Sequence, residues 1–126
     1  MNTTIRSWGK FIEIDDPEFI KQYFGSFIEL NTNIGIKQKL LYVDGNKAIS
    51  LQFHNKRSEI WKVLSETATV QIEDKICEYK LGDVIEIKQK QIHRLFGPST
   101  IAEVWLFDKN NPSDEEDIVR LSTNGT

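Results

Sequence analysis

From Ile34 to Phe107 the chain is a succession of short apolar–polar alternations interrupted by turn residues, and this constrains the fold more than anything else in it. Period-two alternation over four to eight residues is the mark of a strand covered on one face. The pattern predicts strands at 35–43, 48–53, 59–64, 67–73, 75–80, 83–87, 91–95 and 100–107. The turns between them are Asp44-Gly45-Asn46, Asn55-Lys56, Ser65-Glu66, Glu73-Asp74, Leu81-Gly82 and Gly97-Pro98-Ser99. Eight short strands suit an all-β jelly roll. Before them, Lys10–Ile14 alternates like a short strand, and Asp16-Pro17 is a helix-start signal. A short helix over 17–23 follows, with Gly25 as its stop.

A chain of 126 residues is one domain's worth and can bury a core without disulfides or a structural metal. It divides into an N-terminal strand and helix arm (1–34), a barrel (35–108) and a C-terminal tail (109–126) expected to pack back on the barrel. A net charge of −3 offers no basic excess for nucleic acid. The single cysteine, Cys77, excludes an internal disulfide framework and reads as a half-buried strand residue in a reducing compartment. The first residues lack the basic and apolar regions of a signal peptide, and no stretch reaches membrane-span length. The expectation is a cytoplasmic protein with no membrane or nucleic-acid partner.

The two histidines sit in informative surroundings. Residues two apart in a strand point the same way, so Ser50, Gln52 and His54 share one face, while Ile49, Leu51 and Phe53 share the other. Across the turn, Glu59, Trp61 and Val63 form a face that antiparallel pairing can bring beside Gln52 and His54. His93 starts a later strand, and a barrel can gather all of these in its interior. The outward Ile49, Leu51 and Phe53 need a cover, either the N-terminal helix or a second copy, which makes a homodimer the expected assembly. Glu103, mid-strand among apolar residues, should be inward and functional or paired with a lysine. The three tryptophans read as core or rim packing.

This arrangement resembles the cupin superfamily. Asn46, five residues, Gln52-Phe53-His54, four residues, Glu59, six residues and Glu66 keep the spacing of the first cupin motif. Gly82, five residues, Lys88-Gln89-Lys90, two residues and His93 keep that of the second. The resemblance implies a cupin jelly-roll β-barrel with one divalent metal ion held by Gln52, His54, Glu59 and His93. Zinc is the first choice, and Mn, Fe, Co or Ni also accept such mixed donors. Asn46 stands at a turn glycine and is the non-glycine residue that best tolerates positive φ.

A closer resemblance is to the type II mannose-6-phosphate isomerase cupin, usually the end of bifunctional proteins that also carry a mannose-1-phosphate guanylyltransferase. It is carried by Ile49-Ser50-Leu51-Gln52-Phe53-His54-Asn55-Lys56-Arg57-Ser58-Glu59-Ile60-Trp61, with Arg6-Ser7-Trp8-Gly9-Lys10-Phe11 upstream and Asp114-Glu115-Glu116-Asp117-Ile118-Val119-Arg120 downstream. It implies interconversion of mannose 6-phosphate and fructose 6-phosphate. Substrate phosphate falls to Arg57 and Lys39, with Lys37 in reserve, and proton transfer to Glu103, with Arg57 alongside. Asn55, Lys56 and Ile60 replace family histidines, Ser122-Thr123-Asn124-Gly125-Thr126 replaces the family's terminal Asp-x-Tyr-Gly-Arg, and the 9–35 segment is longer, as if inserted near the mouth or edge. A non-catalytic metal-containing sugar binder and another small-molecule cupin enzyme are the alternatives.

Overall fold

A computed structural model describes residues 2–122. In it, β1 (Thr3–Arg6), β2 (Gly9–Glu13), β3 (Ile34–Val43), β10 (Ser99–Asp108), β5 (Arg57–Val63) and β8 (Val84–Ile87) form one antiparallel sheet in that order. The second sheet runs β11 (Val119–Arg120), β4 (Gln52–Phe53), β9 (His93–Phe96), β6 (Thr67–Ile72), β7 (Lys75–Lys80). The two sheets face each other as a jelly roll, the all-β architecture expected from the alternation. Among the described residues no helix is long and apolar enough to cross a membrane.

Alternation in the first sheet builds two separate cores. Odd-numbered residues face inward: Leu41 and Val43 of β3, Trp61 and Val63 of β5, Ile85 and Ile87 of β8 and Ile101 of β10 meet Ala68, Val70 and Leu95 of the second sheet. Even-numbered Ile60, Ala102 and Val104 face outward. There they meet Phe19 and Ile20 of helix α1 (Phe19–Tyr23) and, beyond it, Phe24 and Ile28. Five residues are too few to hold a helix by propensity, so burying Phe19 and Ile20, at about 1.5–3 kcal/mol each, is what fixes it. Within the longer 9–35 segment, Phe19 to Ile28 thus cover the outer face of β10 and β5, while β2 extends the sheet beside β3 and brings Phe11 to the cavity. Gly9 begins β2 with φ +151°, and a Cβ there would strike the Tyr42 carbonyl, so only glycine fits.

Other expectations need correcting. The predicted strand over 48–53 is regular only at Gln52–Phe53, with an isolated bridge from Ala48 to Phe96. Strict alternation fails in between, and Ile49 and Ser50 both border the interior cavity. Leu51 and Phe53 are half-buried, and it is the C-terminal tail that flanks them: β11 pairs with Gln52–Phe53, and Leu121 N–H donates to Leu51 O at 2.7 Å. The helix lies elsewhere. Cys77 is exposed rather than half-buried, because β7 is the sheet's edge and only Tyr79 of that strand packs against the core. Neither β1 nor β11 was expected as a strand.

Candidate metal centre

The inner face of the first sheet changes character along its length. Past Ile101, the inward residues become Glu103 and Trp105 on β10, Lys39 on β3, and Glu59 and Arg57 on β5. The register puts Glu103 between Lys39 and Trp61 and sets Glu59 opposite Trp105. From the other sheet, Gln52 pairs with His93. Candidate ligand atoms of His54, Glu59 and His93 lie within 4.8 Å of one another, and all three residues are buried.

Hydrogen bonds fix which nitrogen each histidine offers. His54 Nδ1 is 2.8 Å from Asp117 O, and His93 Nδ1 is 2.9 Å from Gln91 O. A carbonyl only accepts, so both Nδ1 atoms carry the proton and both Nε2 atoms present a lone pair, which at His54 faces Arg57 Nη2 at 3.2 Å. His93 Nε2 is buried with no hydrogen-bond partner among the described residues. His54 Nε2 lies 3.2 Å from Glu59 Oε2. Two lone-pair atoms at that distance want a cation between them, and ligands of one ion with bonds near 2.0–2.2 Å sit roughly 3–3.5 Å apart. The donor set fits a divalent metal.

Gln52 is adjacent but turned. Its Nε2 is 3.5 Å from His54 Nε2, while Oε1 accepts from Ser50 Oγ at 2.8 Å. A half-turn of the amide exchanges oxygen and nitrogen and would bring a ligating oxygen to the cluster.

Burial dominates the protonation states. It lowers His54 to about 4, the nearby Glu59 only partly opposing it, and it lowers His93 in the same way. For Glu59 burial acts upward, but Arg57 and the two histidines outweigh it and hold the carboxyl well below its usual range. Glu103 goes the other way: burial, reinforced by the Glu59 carboxylate, raises it well above the ordinary value. Trp61 Nε1 donates to Glu59 at 2.9 Å and Trp105 Nε1 to Glu103 at 2.7 Å, fixing both carboxyl groups.

Comparison with known proteins bears on the same residues. The family described as mannose-6-phosphate isomerase C-terminal matches residues 13–123. The chain belongs to this family. It is 32% identical over 107 residues to a mannose-1-phosphate guanylyltransferase of Sinorhizobium fredii, covering 84% of this chain but only 21% of that protein. In fold it is similar to oxalate decarboxylase from Bacillus subtilis (TM-score 0.67, 15% identity, 95% of this chain and 30% of that one). The capsular polysaccharide assembling protein CapF from Staphylococcus aureus is also similar (TM-score 0.61, 15% identity, 97% and 34%). These likenesses establish the cupin fold.

The family's expected phosphate ligands are less free than the sequence suggested. Arg57 is buried with its guanidinium turned into the centre: Nε donates to Glu59 Oε2 at 2.6 Å, and Nη1 to Ser113 Oγ at 3.0 Å and Asp114 O at 3.1 Å. Lys39 is buried and inward, stacked on Phe11 and Trp105 and ion-paired with Glu115. Lys37 is exposed at the rim, 5.3 Å from the Trp105 ring, and borders a different cleft. Glu103 is inward, one of the two placements foreseen, with Lys39 across from it. The cavity these groups border is about 120 Å³, below the ~300–1,000 Å³ of small-molecule pockets.

Several residues were missed. Arg6 and Arg120 border the cavity with Lys39, though both fall in the segments that carry the family resemblance. The tail supplies the rest: Asp117 accepts from the backbone of Asn55 at 2.9 Å and Lys56 at 3.0 Å, and Ser113 donates to Asp117 at 2.7 Å. The signal for them lay in the family resemblance, whose segments hold Arg6, Asp117 and Arg120 but not Ser113. The family's terminal arginine position falls in residues 123–126, outside the described residues.

Proposed function

We propose that this chain is a metal-dependent sugar-phosphate isomerase of the mannose 6-phosphate to fructose 6-phosphate type, working in the cytoplasm. What most supports the reading is the convergence of two unprotonated Nε2 atoms, that of His93 without any partner among the described residues, and the Glu59 carboxylate in a buried pocket of a family member. His54, Glu59 and His93 would hold the ion, with Gln52 completing the set after its amide turns. Zinc is the first choice, although a solved structure of the fold-related Bacillus subtilis oxalate decarboxylase concerns that enzyme's Mn(II) centres. Bound there, a divalent ion supplies Lewis-acid stabilisation of negative charge on sugar oxygens.

The chain's own groups supply the rest. Aldose–ketose interconversion moves a proton between adjacent carbons, which one carboxylate can do by taking the proton from one carbon and returning it to the other. Glu103 is suited to this, because burial beside Glu59 raises its pKa well above the ordinary carboxyl value and makes it a stronger base, while Lys39, across the strand pair, supports its ionised form. Lys39, Arg6 and Arg120 at the mouth, joined by Arg57, form a cationic ring for the phosphate.

The test is to load purified protein with Zn²⁺ or Mn²⁺, add fructose 6-phosphate, and follow mannose 6-phosphate by NMR with and without chelator. Chelator-sensitive conversion, lost in His93→Ala, is expected; no conversion with any metal eliminates the isomerase. The internal engagement of Arg57 and Lys39 favours one alternative, a metal-containing cupin that binds sugar phosphate without turning it over. Saturable binding without conversion identifies that case.

A further inference from the structure

We propose that Arg57 is the resident cation of the metal-free centre, and that it must give up the His54 Nε2 lone pair before a metal ion can take it. The inference rests on the metal reading above and concerns how that site is filled.

The argument is one of valence. His54 Nδ1 donates to Asp117 O, so the ring has a single lone pair left, on Nε2. Arg57 Nη2 lies 3.2 Å from that atom, and Arg57 Nε is 2.6 Å from Glu59 Oε2. One guanidinium therefore bridges two of the three candidate ligand atoms and supplies the positive charge that their lone pairs require. Arginine stays protonated in proteins, so its N–H can only donate here. An imidazole lone pair serves an N–H or a metal, never both. His93 Nε2, with no partner, is the one ligand atom that Arg57 does not engage.

The seat is built to hold the guanidinium. Its Cζ lies 3.4 Å from the centroid of the Trp105 ring, and Nη1 is held by Ser113 Oγ and the Asp114 carbonyl. All of these holds except Trp105 come from the C-terminal tail. Removing the Ser113 hydroxyl therefore weakens the hold on the metal's competitor and changes no ligand side chain, though it also takes a hydrogen bond from Asp117, whose carbonyl accepts from His54 Nδ1. Displacement also frees a planar fork beside Lys39, Arg6 and Arg120, which is what an anionic substrate needs from a side chain now spent inside the protein.

The experiment uses the full chain, stripped with chelator and titrated with Zn²⁺, reading Kd by calorimetry and tryptophan emission in parallel. In the wild type, Zn²⁺ should alter emission through Trp105 as the guanidinium leaves its ring, and a Trp105→Phe variant should lose that component. Arg57→Met should bind Zn²⁺ at least about tenfold more tightly and lose the same component. Because removing a positive charge would tighten binding by electrostatics alone, the charge-neutral Ser113→Ala carries the decision: tighter Zn²⁺ binding by several-fold supports displacement. Wild-type Kd in folded Ser113→Ala, or a Trp105 signal that Zn²⁺ leaves unchanged, overturns it. Should wild-type protein bind no Zn²⁺ or Mn²⁺ at all, the metal reading itself fails, an outcome distinct from binding that ignores Arg57 and Ser113.

Discussion

The same three strands build both ends of the barrel interior, and the two ends are made on opposite principles. At the closed end Val43, Val63 and Ile101 touch Ala68, Val70 and Leu95, so burial asks nothing of geometry beyond shape. Further along the same strands, at even spacing, the inward positions hold Lys39, Glu59, Glu103 and Arg57, all buried. There each charge has to be answered by a named partner, because an ion out of water is costly when unpaired. A strand's alternation settles which side chains face inward. It does not settle whether they arrive as a core or a site.

The sharpest way to test that contrast is to unbalance the charged end. Glu59→Gln removes the carboxylate that Arg57 Nε contacts and leaves a buried guanidinium without its counter-charge. We expect metal-free protein to lose about 3–5 kcal/mol in urea denaturation. Adding Arg57→Met should restore most of the loss, since an uncharged pair needs no partner. A double variant as unstable as the single would show that the end is held by packing, as the closed end is.

At the closed end Ile101→Ala should cost about 2–5 kcal/mol, the usual penalty for truncating a fully buried aliphatic side chain. Its Zn²⁺ Kd should stay at the wild-type value. An altered Kd would mean that the two ends are mechanically coupled through β10.

Acid should act only at the charged end, and the sign follows from the protonation states. Between pH 6.5 and 4.5 the unfolded chain takes up protons on His54 and His93 that the folded protein refuses, because burial lowers both, His54 to about 4. Glu103, raised in the folded state, opposes with one proton held by the folded form alone. Two histidines against one carboxyl leave metal-free protein less stable as pH falls across this range. Below pH 4.5 the lowered Glu59 adds to the loss. His93→Gln should flatten the upper part of a Tm-against-pH profile, and an equally steep profile in that variant would contradict the assignment.

How much of this was legible follows from where each hydrogen bond goes. β3, β5 and β10 were readable because their partners share a period-two pattern, and that pattern places Arg57, Glu59 and Trp61 on one face. The spacing of His54, Glu59 and His93 was readable because superfamily motifs fix it. The tail was not. Ser113 and Asp117 act through bonds to residues 55–57, far back in the sequence, and β11 is two residues long, so no local periodicity announces them. Ile49 and Ser50 misled for the opposite reason: alternation was present, but the backbone between the Ala48 bridge and Gln52 leaves strand geometry.

Turns sharpen the contrast at its finest scale. Asn46, in the turn after β3 at the closed end, has φ 63°, and Lys90, between β8 and β9 at the open end, has φ 64°. Asn46 stands at a turn glycine of the first cupin motif, and Lys90 falls at the glycine of the Pro-x-Gly that the second motif carries where this chain has Lys88-Gln89-Lys90. Asparagine tolerates this region, whereas for lysine the left-handed conformation costs about 1–2 kcal/mol. Glycine removes that strain but costs roughly 0.5–1 kcal/mol in unfolded-chain entropy. Lys90→Gly should therefore gain up to about 1 kcal/mol, and Asn46→Gly nothing measurable. The gain should be accompanied by an unchanged metal Kd, since what Lys90 gives the ligand strand is a backbone N–H to His54 O at 2.7 Å, which glycine keeps. If Lys90→Gly gains no stability, the lysine side chain compensates its backbone there, and strain is no longer a difference between the ends.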